Sequence, residues 1–437
     1  MTQCLIHGIS HDGQGVGKLE GLVVFVPGAL PGELVDIEIT QRKKSFARGR
    51  LHAIVEASPQ RVEAPCPYYW QCGGCAYQHA SYRLQLDLKT RVVEQTLQRV
   101  GKIEAPVKPC LPSPQTWRYR NKVTWHGAPG RDGWRMGYYR NNTHDIIGIR
   151  DCLLISEAMQ ELSNRFTEQL ERLPQPLPPV ELIVRESSYD QGMMAILSGL
   201  KEGTARKLAD TQNGQNLSII HSEPQAFTAI SGQPYLREHL DDTRFNISPQ
   251  AFFQVNRGQT EQLLGIIKEW LDLQGNEMIL DAYCGVGSLA LTLAPLVRKV
   301  MGIEVFKPAV KDAKANARLN GLGNTRFLAG LTEEVLPTLT NRFDAVILDP
   351  PRSGCSPVVV QAVARLKIPR VVYVSCEPST LARDLAQFSQ AGYQIKEIQP
   401  LDMFPWTGHV ECCVLLYHKD YIGEKGKKVT VEVGMNK

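Results

Sequence analysis

The sequence predicts an α/β protein in three parts: a small N-terminal β-barrel, a mixed α+β centre, and a C-terminal doubly wound parallel sheet. Three observations carry this. Residues 1–57 hold five or so short β-rich runs separated by turns. From about residue 243, apolar strands alternate with helical stretches. Between these parts lies a segment rich in Cys, Tyr, Gly and Pro without periodicity. A chain of 437 residues is too long for one core. Its 43% hydrophobic and 22% charged residues exclude a disordered, collagen-like or coiled-coil protein. The expected domains are 1–57, 58–242 and 243–422, with a Lys/Gly-rich, loosely ordered tail at 423–437.

In the first part, Gly13-Gln14-Gly15-Val16-Gly17 makes a glycine-rich turn, and Leu22 to Val26 is a strand stopped by Pro27-Gly28. Glu33 to Thr40 alternates Val35, Ile37 and Ile39 with Asp36, Glu38 and Thr40, the pattern of a half-buried strand. Five basic residues follow (Arg42, Lys43, Lys44, Arg48, Arg50), and Leu51 to Val55 closes the module. Small barrels of this kind often bind nucleic acid on one face. Charge agrees when divided. Residues 1–150 carry 20 Lys and Arg against 12 Asp and Glu, net +8, while the remainder is net −4. A basic front points to a polyanionic partner.

In the second part, residues 58–80 need a staple. Cys66, Cys72 and Cys75 supply three thiols there, and Cys152, after Arg150-Asp151, is a plausible fourth. By spacing alone the set suits zinc or an iron–sulfur cluster. Tyr82 to Val100 carries Leu84, Leu86, Leu88, Val92, Val93 and Leu97 at helical spacing, with Gly101 as the stop. Trp117-Arg118-Tyr119-Arg120-Asn121-Lys122 interleaves aromatic and basic residues. That suits phosphate contact with base stacking, and equally an edge strand.

In the third part, Glu277 to Ala282, Val300 to Val305, Phe343 to Asp349 and Arg370 to Ser375 read as strands of one sheet. Asp281-Ala282-Tyr283-Cys284-Gly285-Val286-Gly287-Ser288 follows the first and opens a helix. Its Asp-x-x-x-Gly-x-Gly order resembles S-adenosylmethionine methyltransferases, with Glu304 placed for a ribose diol. Three further segments fall at carboxyl ends of strands, where such sheets bind ligands. They are Asp349-Pro350-Pro351-Arg352, Ser375-Cys376-Glu377-Pro378 and His409-Val410-Glu411. One chemistry uses this combination. A thiolate adding to carbon 6 of uracil makes carbon 5 nucleophilic toward a methyl sulfonium, and a base then removes the carbon-5 hydrogen. Cys376, Glu411 and Asp349 fit as nucleophile, base and holder of the ring's N3–O4 edge.

Five motifs, in order, make the chain resemble the RNA uracil-C5 methyltransferases over nearly its whole length. They are Ser248 to Asn256, Asp281 to Gly287, Asp349 to Gly354, Tyr373 to Asp384, and His409 to Glu411. The resemblance implies a Rossmann-like S-adenosylmethionine methyltransferase domain behind a TRAM barrel, with Cys376 as nucleophile and Glu411 as base. It implies that Gln254, Tyr283, Glu304 and Asp349 line the cofactor and uracil sites, and that Phe252 packs near the flipped base. Gly285, Gly287 and Ser288 complete the cofactor loop, Ser288 standing where relatives often have Asn. Ribosomal-RNA members carry this cysteine spacing and a [4Fe–4S] cluster, so Cys66, Cys72, Cys75 and Cys152 are its expected ligands and 23S ribosomal RNA the expected substrate. The absence of a signal-like start or long apolar run leads us to expect a cytoplasmic protein off the membrane, and we expect a monomer.

A radical-SAM enzyme would need C-x3-C-x2-C, whereas five residues separate Cys66 from Cys72. A cytosine-C5 enzyme would show a second catalytic Cys in a Pro-Cys motif, and Pro65-Cys66 and Pro109-Cys110 lie far from the sheet in sequence. A non-enzymatic RNA-binding factor would have no use for Cys376 and Glu411 at strand ends.

Overall fold

A computed structural model of the protein describes residues 1–421 except 11, 131, 132, 142, 175, 176, 213–215 and 225. The expected loose tail, 423–437, lies outside the described residues. Five strands, β1 (Thr2–Ile9), β2 (Gly15–Leu19), β3 (Leu22–Val26), β4 (Leu34–Arg42) and β5 (Phe46–Glu56), close into a barrel. Alternation drives the closure: Val35 and Ile37 of β4 are fully buried beside Ile6, Val24 and Val26, and Glu38 faces water. A side chain at Gly17 would sit 2.3 Å from Cys4 Sγ, so that approach of β2 to β1 requires glycine. The basic residues lie outside, and two are already paired, Arg42 with Glu20 and Arg50 with Glu38.

Helix α1 (Tyr82–Thr96) starts where the Ser81 hydroxyl accepts from Leu84 N at 3.2 Å. It runs into a single π-turn, Leu97–Gly101, so the predicted end at Gly101 holds although the last turn is not α-helical. Its first residue, Tyr82, packs with Cys75 and Cys152 against Trp406. Val93 and Leu97 join the core of the C-terminal sheet beside Val346 and Leu385.

The centre is a seven-stranded sheet of β6 (Lys122–Gly130), β7 (Gly133–Tyr139), β8 (Ile146–Gly148), β9 (Val180–Glu186), β10 (Met193–Ser198), β11 (Leu217–Glu223) and β12 (Ala226–Ser231), ordered β12-β11-β10-β9-β6-β7-β8. Helices α2 (Glu157–Glu171) and α3 (Glu202–Asp210) pack on it through Met159, Phe166 and Ala205. The Trp117–Lys122 stretch is neither an edge strand nor an open stacking platform. Trp117 stacks on Trp406 at 4.1 Å, and Tyr119 is buried. Arg118 Nη1 donates to the carbonyls of Cys152 (2.9 Å) and Ile155 (3.0 Å). Aromatics alternating with arginines look alike in sequence whether they face RNA or clamp two loops.

A hairpin of β13 (Leu236–Leu240) and β14 (Thr243–Ile247) leads into α4 (Arg257–Leu271). The last sheet follows: β15 (Met278–Ala282), α5 (Ser288–Leu293), β16 (Lys299–Glu304), α6 (Lys307–Leu319), β17 (Thr325–Ala329), α7 (Thr332–Val335), β18 (Ala345–Leu348), α8 (Pro357–Arg365), β19 (Arg370–Ser375), α9 (Pro378–Gln390), β20 (Tyr393–Leu401) and β21 (Glu411–His418). Its order is β17-β16-β15-β18-β19-β21-β20. The first five are parallel, and β21 runs antiparallel between β19 and β20. β15 and β18 are buried along their whole length, as helices on both faces demand. No helix among the described residues is long and apolar enough to cross a membrane.

Candidate active site

Strand order reverses between β15 and β18, and a pocket of about 620 Å³ opens there at the carboxyl ends of the strands. The glycine loop forms one wall. Tyr283 (φ +82°), Gly285 (+54°) and Gly287 (+84°) all take the left-handed conformation, and Tyr283 N and Cys284 N both donate to Ile303 O at 2.9 Å. A non-glycine residue at that φ is held by its surroundings, here by those bonds. Asp281 secures the loop from below, accepting from Ala290 N at 3.0 Å. Burial, and then the charge of Asp349, push the Asp281 carboxyl up to about 8. Glu304, ending β16, accepts from Gly285 N (3.0 Å) and Phe306 N (2.7 Å), so its carboxylate is fixed at the rim.

The opposite wall is set by register. Ser375 of β19 pairs with Cys412 of β21, so the next positions, Cys376 and Glu411, face each other where the two strands end. Opposed residues of an antiparallel pair share a face, with Cβ atoms about 4.5–5.5 Å apart. Glu411 is 3% exposed. Burial and then the Asp349 charge drive its carboxyl well above the ordinary range, while Arg352 opposes. Burial, followed by Glu411, pushes the Cys376 thiol up to about 11, with Arg352 again pulling down. Burial lifts Asp349, one residue past β18, to about 7.

The Asp349–Cys355 loop is gripped by α9. Asp384, fully buried, accepts from Cys355 N (2.7 Å), Tyr373 Oη (2.6 Å) and Arg383 Nε (2.8 Å). Arg383 Nη2 donates to Ser353 O at 2.8 Å, and Thr380 Oγ1 to Arg352 O at 3.1 Å. Gly354 has φ +75°, and a Cβ there would lie 2.4 Å from Asp384 Oδ2. From the other side, Arg185 of the central sheet donates to Ala251 O (3.1 Å), and Asn121 Nδ2 to Gln254 O (3.1 Å). These bonds hold the segment that presents Phe252, 64% exposed over the pocket.

Of the residues singled out from sequence, Cys376, Glu411, Phe252, Gln254, Tyr283, Gly285, Glu304 and Asp349 line this one pocket. Gly287 and Ser288 do not. Gly287 caps α5, and Ser288 is its first residue, with its carbonyl accepting from Thr292 Oγ1 at 2.6 Å. Their place in the motif reflects the turn rather than a lining side chain. Sequence reasoning assigned no role to Arg352, Glu333, Phe404 or His409 in the lining. Arg352 stood inside a recognised motif, but nothing in sequence brings Phe404 or Glu333 to the same edge.

Cys66, Cys72, Cys75 and Cys152 line a second cavity, of about 70 Å³, with Tyr68, Tyr138 and Arg120. Among the described residues, no group of three or more His, Cys, Asp or Glu converges tightly enough for a single metal ion. A single zinc needs four ligands about 2.3 Å from one point, whereas a cluster spreads its thiolates around a wider body. Arg120 opposes the upward push of burial on the Cys75 and Cys152 thiols. Four thiols around one cavity beside a cation suit an anionic thiolate-held group.

A glycine loop with an acidic strand end at a topological switch point is the arrangement of α/β enzymes that bind a nucleoside cofactor, and here a thiol and a carboxyl share that edge. Known proteins narrow this class. Residues 197–419 match the family model for tRNA (uracil-5-)-methyltransferase, and residues 3–52 that for the TRAM domain. An uncharacterized RNA methyltransferase of Halalkalibacterium halodurans is 35% identical, covering 96% of this chain and 97% of its own. One from Bacillus cereus is 37% identical over 93% and 94%. The crystal structure of Pyrococcus abyssi tRNA (uracil-54, C5)-methyltransferase in complex with S-adenosyl-L-homocysteine superposes with a TM-score of 0.76 at 29% identity, covering 95% of this chain and 99% of that one. The chain belongs to the tRNA (uracil-5-)-methyltransferase family of RNA methyltransferases.

Proposed function

We propose that the protein methylates carbon 5 of a uridine in RNA, using S-adenosylmethionine, with 23S ribosomal RNA as substrate. The observation that carries the chemistry is the pairing of Cys376 with Glu411 across the ends of β19 and β21 in the pocket that Asp349 also lines. The cofactor, when bound, supplies an electrophilic methyl group. Tyr283, Gly285 and Glu304 are the residues to hold it, Glu304 offering a carboxylate to hydroxyl donors. Asp349, near half-protonated at neutral pH, can both donate to uracil O4 and accept from N3–H. Cys376 gives up its proton to solvent, its thiolate bonds to carbon 6, and the electron pair of the carbon 5–carbon 6 π bond shifts toward carbon 5 and O4, making carbon 5 nucleophilic. After carbon 5 is methylated, Glu411 accepts its hydrogen as a proton, and the pair of electrons released expels the Cys376 thiolate. The uridine must leave its stack to reach the thiol, so it sits in a loop or locally opened strand.

Cys376→Ala is expected to abolish methylation and keep RNA binding; normal methyl transfer by this variant would falsify the mechanism. Glu411→Gln is expected to form a covalent RNA adduct and retain it. A folded Glu411→Gln protein that gives no gel-shifted adduct counts against the base assignment.

We further propose a structural [4Fe–4S] cluster on Cys66, Cys72, Cys75 and Cys152. Its support is the shared cavity and its cation. An anaerobic preparation should be brown and contain iron. A colourless protein with one zinc per chain ends the idea.

The Pyrococcus abyssi enzyme gives transfer RNA its own support, because it is a tRNA (uracil-54, C5)-methyltransferase and the superposition spans 95% of this chain. Layout alone therefore does not separate the two substrates. Mapping 5-methyluridine in ribosomal and transfer RNA from cells with and without the gene decides between them.

A further inference from the structure

A second groove, of about 380 Å³, lies between the barrel, the cysteine segment and the loop that leads to Glu411. Its rims are Gly13 and Gly28 on the barrel, Trp70 and Gly74 on the cysteine segment, and His409 on the catalytic side, with Arg120 also in the lining. His409 also lines the catalytic pocket, so the groove and the pocket share a wall.

Trp70 stands out here. Of six tryptophans it alone is exposed, at 64%. Its ring is braced from beneath by Tyr69 (centroids 4.7 Å apart, edge-on) and His79 (5.6 Å). The barrel supports it too: a Cβ on Gly28 would lie 3.1 Å from the indole, so glycine there lets the ring rest on the turn. A tryptophan used only to pack the barrel against the cysteine segment would be covered by that contact, and this one is not. Arg120 pairs with no carboxylate among the described residues; its Nε donates to Tyr119 Oη at 3.4 Å, and its guanidinium lies 5.9 Å from the Phe404 ring centroid. The acidic Asp12 on the far rim is turned into its own loop, accepting from Ser10 and Gln14.

An open, braced indole in a groove that shares His409 with the pocket where a uridine is to enter fits a single strand with aromatic bases. We propose that this groove is a base-stacking subsite for the RNA strand flanking the target uridine, with Trp70 as the platform. The proposal rests on the RNA-methylation reading above.

The test uses the full-length protein and a fluorescein-labelled dodecamer of uridine. Trp70→Ala is expected to weaken its binding about tenfold, within the range of one base–aromatic stack, and Trp70→Phe to stay within about twofold of wild type. On bulk RNA from a strain lacking the gene, Trp70→Ala should raise KM by a similar factor and leave kcat and S-adenosylhomocysteine affinity unchanged. A dodecamer carrying 4-thiouridine, irradiated on the wild-type protein, should crosslink to the peptide containing Trp70; this arm does not depend on any variant folding. Equal affinity of wild type and Trp70→Ala, or crosslinks confined to other surfaces, overturns the subsite. So does a wild-type protein that methylates bulk RNA but does not bind the dodecamer. Failure of the wild type to methylate any RNA sinks the methylation reading itself, which the Cys376 and Glu411 variants test separately.

Discussion

At the scale of single residues, burial raises the acids of the site above the ordinary carboxylate range. Burial lifts Asp281 to about 8 and Asp349 to about 7, and Glu411 well above its usual range. A carboxyl raised in the folded state stabilises the fold fully below about pH 4, where the unfolded chain would also be protonated, and that contribution is lost as pH rises through 7 to 8. Asp281→Asn should therefore flatten the decline in melting temperature between about pH 4 and 8. The thiol gives a second check. Cys376 titrates near 11, raised by burial and Glu411 and lowered by Arg352. Its alkylation by iodoacetamide, followed by peptide mass spectrometry, should have a midpoint near that pH. Arg352→Gln should move the midpoint up and Glu411→Gln down; the reverse signs would show that these charges do not reach the sulfur.

At the scale of elements, α9 does two jobs with one sequence. Its start follows Cys376 directly, and its Asp384 holds the loop that carries Asp349 and Arg352. Cys376 and the loop that carries Asp349 are thus tied to one rigid body. Asp384→Ala removes the carboxylate that accepts from Tyr373 Oη and Arg383 Nε and leaves Cys355 N only its 3.3 Å bond to Tyr373 Oη in a buried interior, which costs about 3 kcal/mol. Thermal unfolding should record that loss, and kcat should fall even where the protein is folded. A variant with wild-type stability and rate would mean the loop keeps its shape without the clamp. The buried Lys89–Asp402 pair plays a similar part, joining α1 to the chain before Phe404, with Lys89 Nζ also donating to Phe404 O at 3.0 Å.

At the scale of the molecule, the barrel is latched through one buried carboxylate. Glu33 accepts from Leu30 N (2.8 Å), Ser58 N (3.3 Å) and the Arg61 guanidinium (2.6 and 2.8 Å). Burial pushes its pKa up, but Arg61 and the two amides outweigh it and hold it below the usual value. The latch is complete above the ordinary glutamate range and fails as pH falls through that lowered value. Glu33→Ala strands Arg61 and is expected to cost about 3 kcal/mol, seen as earlier proteolysis between residues 56 and 61. With a basic front third, RNA affinity should fall steeply with added salt, and a flat salt response would argue against a phosphate-reading surface.

Much of this was legible in the residues. Period-two alternation predicted the barrel, and buried apolar runs separated by helices predicted the parallel sheet, because both patterns are local consequences of which face meets the core. The glycine loop and the acid–thiol set were readable because their chemistry constrains residue type and order. Sequence could not tell that Trp117 and Tyr119 are clamps, that Gly287 and Ser288 are absent from the pocket lining, or that Phe404 and Glu333 belong to it. Those facts depend on contacts between residues far apart in the chain. The pairing of Cys376 with Glu411 is of the same kind. Both were recognisable types, but only the insertion of β21 between β19 and β20, in one register, puts the sulfur and the carboxyl on a common face; a slip of one residue would have turned them apart.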